Sequence, residues 1–213
     1  MRREKNIEIM DTTLRDGEQT SGVSFLPSEK LQIAKLLLEE LRVDRIEVAS
    51  ARVSEGELEG VKRITNWAEE RGFLDSIEVL GFVDTPKSVD WLVEAGAKVM
   101  NLLTKGSLNH LTHQLKKTPE AHFTEIEKCI TYARTHGIEV NVYLEDWSNG
   151  MRNSRDYTLS MIRFLSQQPV KRIMLPDTLG LLCPDEVKEF LEVICEEFPN
   201  VHFDFHAHND YDL

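Results

Sequence analysis

The chain has 213 residues, 41% hydrophobic and 29% charged, an ordinary balance for a globular protein of one large domain or two small ones, with room for a sizeable core. Its 37 acidic against 25 basic residues give a formal net charge of -12, which argues against nucleic acid or an anionic membrane as partner. Three scattered cysteines, Cys129, Cys183 and Cys195, form no CxxC pair; they argue against a disulfide framework and for a reduced, cytoplasmic setting.

The charged opening at 1–6 runs straight into a strand pattern, with no apolar core of a secretory signal. No apolar stretch approaches the length of a membrane helix. Strand patterns fall at 7–14, 45–50, 77–83, 99–104, 138–144, 172–175 and 202–206. Amphipathic patterns lie between them. Ser28 opens the first as a cap, with apolar positions at Leu31, Ile33, Ala34, Leu37, Leu38 and Leu41. The second covers 56–71, with Leu58, Val61, Ile64, Trp67 and Ala68 on one face. Others follow at 87–95, 119–136, 154–167 and 185–198. Pro86, Pro119 and Pro184 stand at helix starts, and Gly72, Gly96 and Gly137 just past helix ends.

Strand–helix alternation of this kind predicts βαβ units and a parallel sheet. A doubly wound sheet and a closed barrel both fit. The barrel is favoured because nearly every strand ends in polar residues: Arg15-Asp16, Ser50, Asp84, Thr104-Lys105, Glu145-Asp146, Asp177-Thr178 and the run from His206 to Asp210. In a barrel these ends converge on one mouth. No GxGxxG or Walker loop follows the first strand. The prediction is a TIM (β/α)8 barrel domain over 1–213, truncated before its eighth strand, with exposed edges on strands one and seven.

His206 and His208 stand two apart on a predicted strand, so period-two geometry puts both imidazoles on one face. They are candidate metal ligands, or else two ordinary barrel histidines. Asp16, ending the first strand, is the third candidate; taken alone it is equally a loop carboxylate. One Asp and two His with open positions suit a catalytic Zn, Mn or Mg ion. Arg15 can hold a substrate carboxylate or a developing oxyanion, or form a salt bridge to Glu47. Arg15 and Asp16 face the mouth together only if the strand has ended before them. Glu145 is a candidate general base or a supporting carboxylate. Thr178 can donate to a substrate carboxylate or cap the following turn. Leu80, Leu103 and Tyr143 can wall a small pocket or simply fill the core.

The segment from Asp11 to Thr20 carries Leu14-Arg-Asp-Gly-Glu-Gln19, with Lys30 further on, and resembles the first signature of the isopropylmalate, citramalate and homocitrate synthase family. The second signature, H-x-H-[DN]-D, is matched by His206-Ala-His208-Asn209-Asp210. The resemblance spans the chain and includes Leu-Pro-Asp-Thr-Leu-Gly at 175–180. It implies a TIM barrel with a divalent metal on Asp16, His206 and His208, and a fourth ligand, an asparagine, on the strand after 213. It implies a 2-oxo acid chelated through carboxylate and keto oxygen, with Arg15 at the keto or enolate oxygen and Thr178 at the carboxylate. Acetyl-CoA then loses a methyl proton to a base, its enolate attacks the keto carbon, and the thioester is hydrolysed.

Tyr143 and Leu80, with the run Val142–Trp147 in place of the F-S-x-E-D-A usual in isopropylmalate synthases, resemble the citramalate-forming branch, which uses pyruvate. That implies a place in branched-chain amino-acid biosynthesis, leading to leucine or isoleucine. Asp212 replaces a glycine usual after the second signature, which puts the local turn in doubt but not the ligands. Isopropylmalate formation from 2-oxoisovalerate is the nearest alternative. A hydroxymethylglutaryl-CoA lyase shares the barrel but typically reads R-D-G-L-Q-N where this chain has Arg15-Asp-Gly-Glu18-Gln-Thr20. The resemblance also implies a homodimer, with CoA contacts and further catalytic groups supplied from downstream, so the 213 residues alone are expected to be an inactive metal-binding fragment.

Overall fold

The computed structural model describes residues 7–210. The readings on 1–6 and on Asp212 lie outside the described residues. Two compact units are present: residues 7–81 with 86–100, and residues 82–85 with 101–210.

The first unit runs β1 (Met10–Asp11), α1 (Pro27–Lys35), β2 (Arg45–Ser50), α2 (Glu55–Arg71), β3 (Ile77–Phe82) and α3 (Lys87–Glu94). β1 pairs in parallel with β2, Met10 opposite Arg45. β2 pairs in parallel with β3, Ile46 opposite Ile77. The register jumps from Glu47 opposite Glu78 to Ala49 opposite Val79, so Val48 is the extra residue of a bulge. Ile46, Val48 and Ala49 are all buried, as both faces of a parallel strand should be. Val61, Ile64 and Ala68 of α2 supply the cover. Ser54 caps α2 by accepting the Glu57 N–H at 3.1 Å, and Gly72 ends it at φ 78°.

Two expectations are corrected here. β1 is far shorter than 7–14. The Asp11 carboxylate accepts the Thr13 N–H at 2.8 Å, and Thr12 O gathers the N–H groups of Arg15, Asp16 and Gly17, so the chain turns instead of extending. Ser28 does not cap α1. Leu26 holds that position, with Pro27 first in the helix and the Glu29 carboxylate accepting the Leu26 N–H at 2.7 Å. Beyond Lys35 the helix continues as a π turn over Leu36–Leu41.

β4 (Val99–Lys105) carries the chain into the second unit, which continues with α4 (Leu108–His110) and a π turn (Leu111–Leu115), then α5 (Pro119–Thr135), β5 (Glu139–Glu145), α6 (Trp147–Asn153), α7 (Arg155–Leu165), β6 (Ile173–Asp177), α8 (Pro184–Glu197) and β7 (Phe203–Ala207). β5 pairs in parallel with β6, and β6 with β7, Ile173 lying opposite Phe203. The end of β4 lies beside β5. Thr104 Oγ1 donates to Tyr143 O at 2.7 Å, and the Gly106 N–H donates to Glu145 O at 2.7 Å. β2 to β7 all fall within two residues of their predicted bounds.

α6 was not among the expected helices; its seven residues include Gly150 and four polar side chains. Gly150 is there for space. A Cβ on it would lie 2.3 Å from Gly106 O and 2.5 Å from Thr158 Oγ1, so the helix can sit against the β4 end only without a side chain.

Candidate active site

In the first unit the site residues lie in the turn after β1. Because the strand has already ended, Arg15 and Asp16 reach each other. Arg15 Nη1 donates to Asp16 Oδ1 at 2.9 Å, while Arg15 Nε donates to Glu47 Oε2 at 2.5 Å. The Glu47 side chain is fully buried. The salt bridge to Glu47 is therefore formed, and the same guanidinium also orients the Asp16 carboxylate. Leu80, on β3, is 5% exposed.

In the second unit β7 alternates as its spacing predicts. Phe205 faces Trp147 of α6, ring centroids 6.2 Å apart. His206 points the other way and meets the Tyr143 ring edge-on at 6.1 Å. His208 joins it on that side, the two imidazole centroids 5.0 Å apart. Both histidines are partly exposed. The spacing and shared face suit two imidazoles on one ion.

Beneath these histidines lies the turn after β6. Asp177 O accepts the Gly180 N–H at 3.0 Å and the His208 N–H at 3.4 Å. Gly180 has φ 58°, and a Cβ there would fall 2.7 Å from Asp210 N and 2.9 Å from His208 O. The bare backbone of Gly180 thus seats the loop that follows β7. Neither Asp177 nor Gly180 was a sequence candidate. The signal was the 175–180 run, read there as part of the family resemblance, with a site role given to Thr178 alone.

The remaining candidates lie around the ends of β4 and β5. Glu145 is ion-paired with Lys105. Its neighbour Asp146 takes φ 64°, an uncommon backbone for a non-glycine residue. The Asp146 carboxylate accepts from Ser107 Oγ at 2.6 Å and from Asn149 Nδ2 at 2.8 Å, with His110 Nε2 3.4 Å away. Thr178 Oγ1 accepts the Asp146 N–H at 2.9 Å, which leaves its hydroxyl proton to be donated elsewhere. Leu103 is partly exposed and Tyr143 buried. Lys105 is held from behind by Tyr157, whose hydroxyl donates to Lys105 O at 2.8 Å and is pushed up in pKa by burial. Sequence reasoning assigned no role to Lys105, Ser107 or His110.

Parallel strands in chain order, helices between them and polar residues at their carboxyl ends define the class: seven strands of a TIM barrel are present among the described residues. A family model described as HMGL-like matches residues 6–213, and the chain belongs to that family. It is 35% identical over 208 residues to the (R)-citramalate synthase of Methanocaldococcus jannaschii, covering 97% of this chain and 40% of that protein. It is also 35% identical to the homocitrate synthase of Saccharolobus solfataricus, covering 97% of this chain and 44% of that protein. The chain thus spans about two fifths of the length of these curated relatives. Among solved structures, the hydroxymethylglutaryl-CoA lyase of Pseudomonas aeruginosa matches with a TM-score of 0.76 at 17% identity, over 97% of this chain and 69% of that one. That likeness concerns the fold alone. No helix of the described residues is long and apolar enough to cross a membrane.

Proposed function

We propose that the chain forms the catalytic barrel of a metal-dependent enzyme condensing acetyl-CoA with a 2-oxo acid, pyruvate by preference, to give citramalate. The observation that carries this reading is the pair of imidazoles, His206 near the end of β7 and His208 just beyond it, side by side in a member of the HMGL-like family. The similarity to citramalate and homocitrate synthases supports the reaction class.

In this reading Asp16, His206 and His208 hold the divalent ion. Their mixed oxygen and nitrogen donors suit Zn, Mn or Mg. The ion, when bound, supplies Lewis acidity and a template for the 2-oxo acid. The Thr178 hydroxyl donates to the substrate carboxylate. Glu145 takes a proton from the acetyl methyl group, for which the Lys105 ammonium has to release or share its carboxylate. The resulting carbanion adds to the keto carbon, and the guanidinium of Arg15 stabilises the oxygen that becomes negative. Hydrolysis of the thioester then frees CoA. Leu80, Leu103 and Tyr143 wall the space beside the keto carbon and favour the small methyl group of pyruvate. A cytoplasmic homodimer serving branched-chain amino-acid synthesis belongs to the same proposal.

The test is CoA release by the full-length protein with acetyl-CoA and Mn²⁺ or Mg²⁺, using pyruvate, 2-oxoisovalerate and 2-oxoglutarate in parallel. Preference for pyruvate supports the reading. Preference for either larger acid keeps the chemistry and overturns the pocket. No release with any of the three overturns the condensation itself.

A further inference from the structure

Lys30 is 1% exposed, the one charged residue among the largest fully buried side chains of the described residues. Its Nζ donates to Leu14 O at 3.1 Å, to Val48 O at 3.2 Å and to the Glu57 carboxylate at 2.8 Å, and lies 2.6 Å from Glu18 Oε2. Burying an ammonium is costly, and an apolar side chain of similar volume fills a core at least as well. What the ammonium adds is its grip on two backbone carbonyls.

Both carbonyls stand where regular pairing has broken down. Leu14 lies in the turn that follows β1, after the ladder with β2 has ended at Asp11. Val48 is the extra residue of the β2 bulge. Leu14 immediately precedes Arg15, and Val48 immediately follows Glu47. Arg15 and Glu47 are themselves joined at 2.5 Å, and Arg15 holds Asp16. One buried ammonium therefore ties together the two irregular segments that carry this chain of side chains. Glu18 and Glu57 complete the cluster, and Glu18 also accepts the Phe25 N–H at 2.8 Å, anchoring the far side of the turn.

We infer that Lys30 is a positioning residue, fixing the 12–17 turn and the β2 bulge so that Arg15 and Asp16 stand where the reaction needs them. The purpose of that placement rests on the proposed condensation; the mechanical role does not. A purely structural lysine would act only through stability. Lys30→Met leaves the half-buried Glu57 without its cation, and desolvation already pushes the Glu57 carboxyl up. Lys30→Met with Glu57→Met removes that stranded carboxylate and should restore much of the lost stability, but not the grip on Leu14 O and Val48 O.

The experiment compares both variants with wild type and with Lys62→Met, which breaks the outlying Lys62–Glu94 pair between α2 and α3. In the full-length protein it reads the thermal midpoint, hydrogen–deuterium exchange of segment 12–17, and kcat and KM with pyruvate. The double variant should regain most of the midpoint that Lys30→Met loses. Its 12–17 segment should still exchange about tenfold faster than wild type, and kcat should stay down about a hundredfold. Lys62→Met should change neither. Wild-type exchange in the double variant would overturn the inference. Should neither methionine variant fold, Lys30→Arg decides it: the longer, planar head cannot reproduce both carbonyl contacts, so unchanged exchange in 12–17 again overturns the role. Absence of CoA release by wild type would defeat the proposed function, while the exchange data still decide the fate of Lys30.

Discussion

His122 Nε2 accepts the backbone N–H of Lys105 at 3.3 Å, and the ammonium of the same lysine pairs with Glu145. The acceptor role requires a neutral imidazole with its proton on Nδ1. His122 is 1% exposed, and burial, with Lys117 adding to it, holds its pKa down from 6.5 to about 4. Below about 6.5 the unfolded chain takes up a proton that the folded chain refuses until about 4. The contribution is therefore complete above pH 6.5 and is lost as the pH falls towards 4, by up to about 3 kcal/mol. Denaturant melts at pH 7.5 and pH 5 should show the loss in wild type. His122→Gln, which has no titrating group, should show a smaller difference between the two pH values. Equal pH dependence in the two proteins would defeat the assignment.

Gly180→Ala should weaken metal binding more than it weakens the fold. The new Cβ would lie 2.7 Å from Asp210 N and 2.9 Å from His208 O, both backbone atoms, so the loop bearing His208 must move. Gly72→Ala is the matched control. Its φ is also positive, at 78°, but nothing lies within 4 Å of the added atom. Both substitutions should cost about 1 kcal/mol for the left-handed backbone. Only Gly180→Ala should reduce Mn²⁺ affinity, by about tenfold or more in titration calorimetry. Equal Mn²⁺ affinity in the two variants would mean that the Gly180 seat does not set the imidazole geometry.

β2 to β6 were legible because each is a short run buried along most of its length and bounded by glycine, proline or charge, whereas β7 is half-buried to exposed. The side-by-side placing of His206 and His208 was legible for a simpler reason: the period-two spacing of a strand carries on one residue past the end of β7. Where side chains bond to backbone, the sequence misled. Asp11 and Thr12 end β1 through a local turn that looks like strand by composition, and Glu29 makes Leu26 a cap that no propensity favours. Residues whose role is to make room were also hidden. Gly150 and Gly180 have no side chain to signal their purpose, and only the atoms opposite each of them reveal it.

Trp147 separates volume from hydrogen bonding. It is fully buried, meets Phe190 and Phe205 edge-on at 6.1 and 6.2 Å, and its Nε1 has no hydrogen-bond partner among the described residues. Trp147→Ala should cost about 3–5 kcal/mol, since the cavity lies between α6, α8 and β7. Trp147→Phe keeps much of the ring contact and removes the stranded N–H, so its cost should stay under about 1.5 kcal/mol. Urea melts of the two variants would check the contrast. A similar loss in both would mean that the indole N–H is satisfied in solution, by water.

Leu80→Ala distinguishes a pocket wall from ordinary core. Leu80 is only 5% exposed on β3, so truncation should cost about 2–4 kcal/mol in either case. Stability alone therefore decides nothing about its role. If Leu80 borders the substrate, the methyl groups removed leave room for the branched side chain of 2-oxoisovalerate. The ratio of kcat/KM for 2-oxoisovalerate over pyruvate should then rise by about 10- to 100-fold, the range that one or two methyl groups command. Leu103→Ala, at a more exposed position, should shift the ratio in the same direction at less cost in stability. Parallel CoA-release assays with the two acids would measure both variants. An unchanged ratio with the expected loss of stability would assign Leu80 to the core and remove it from the specificity argument.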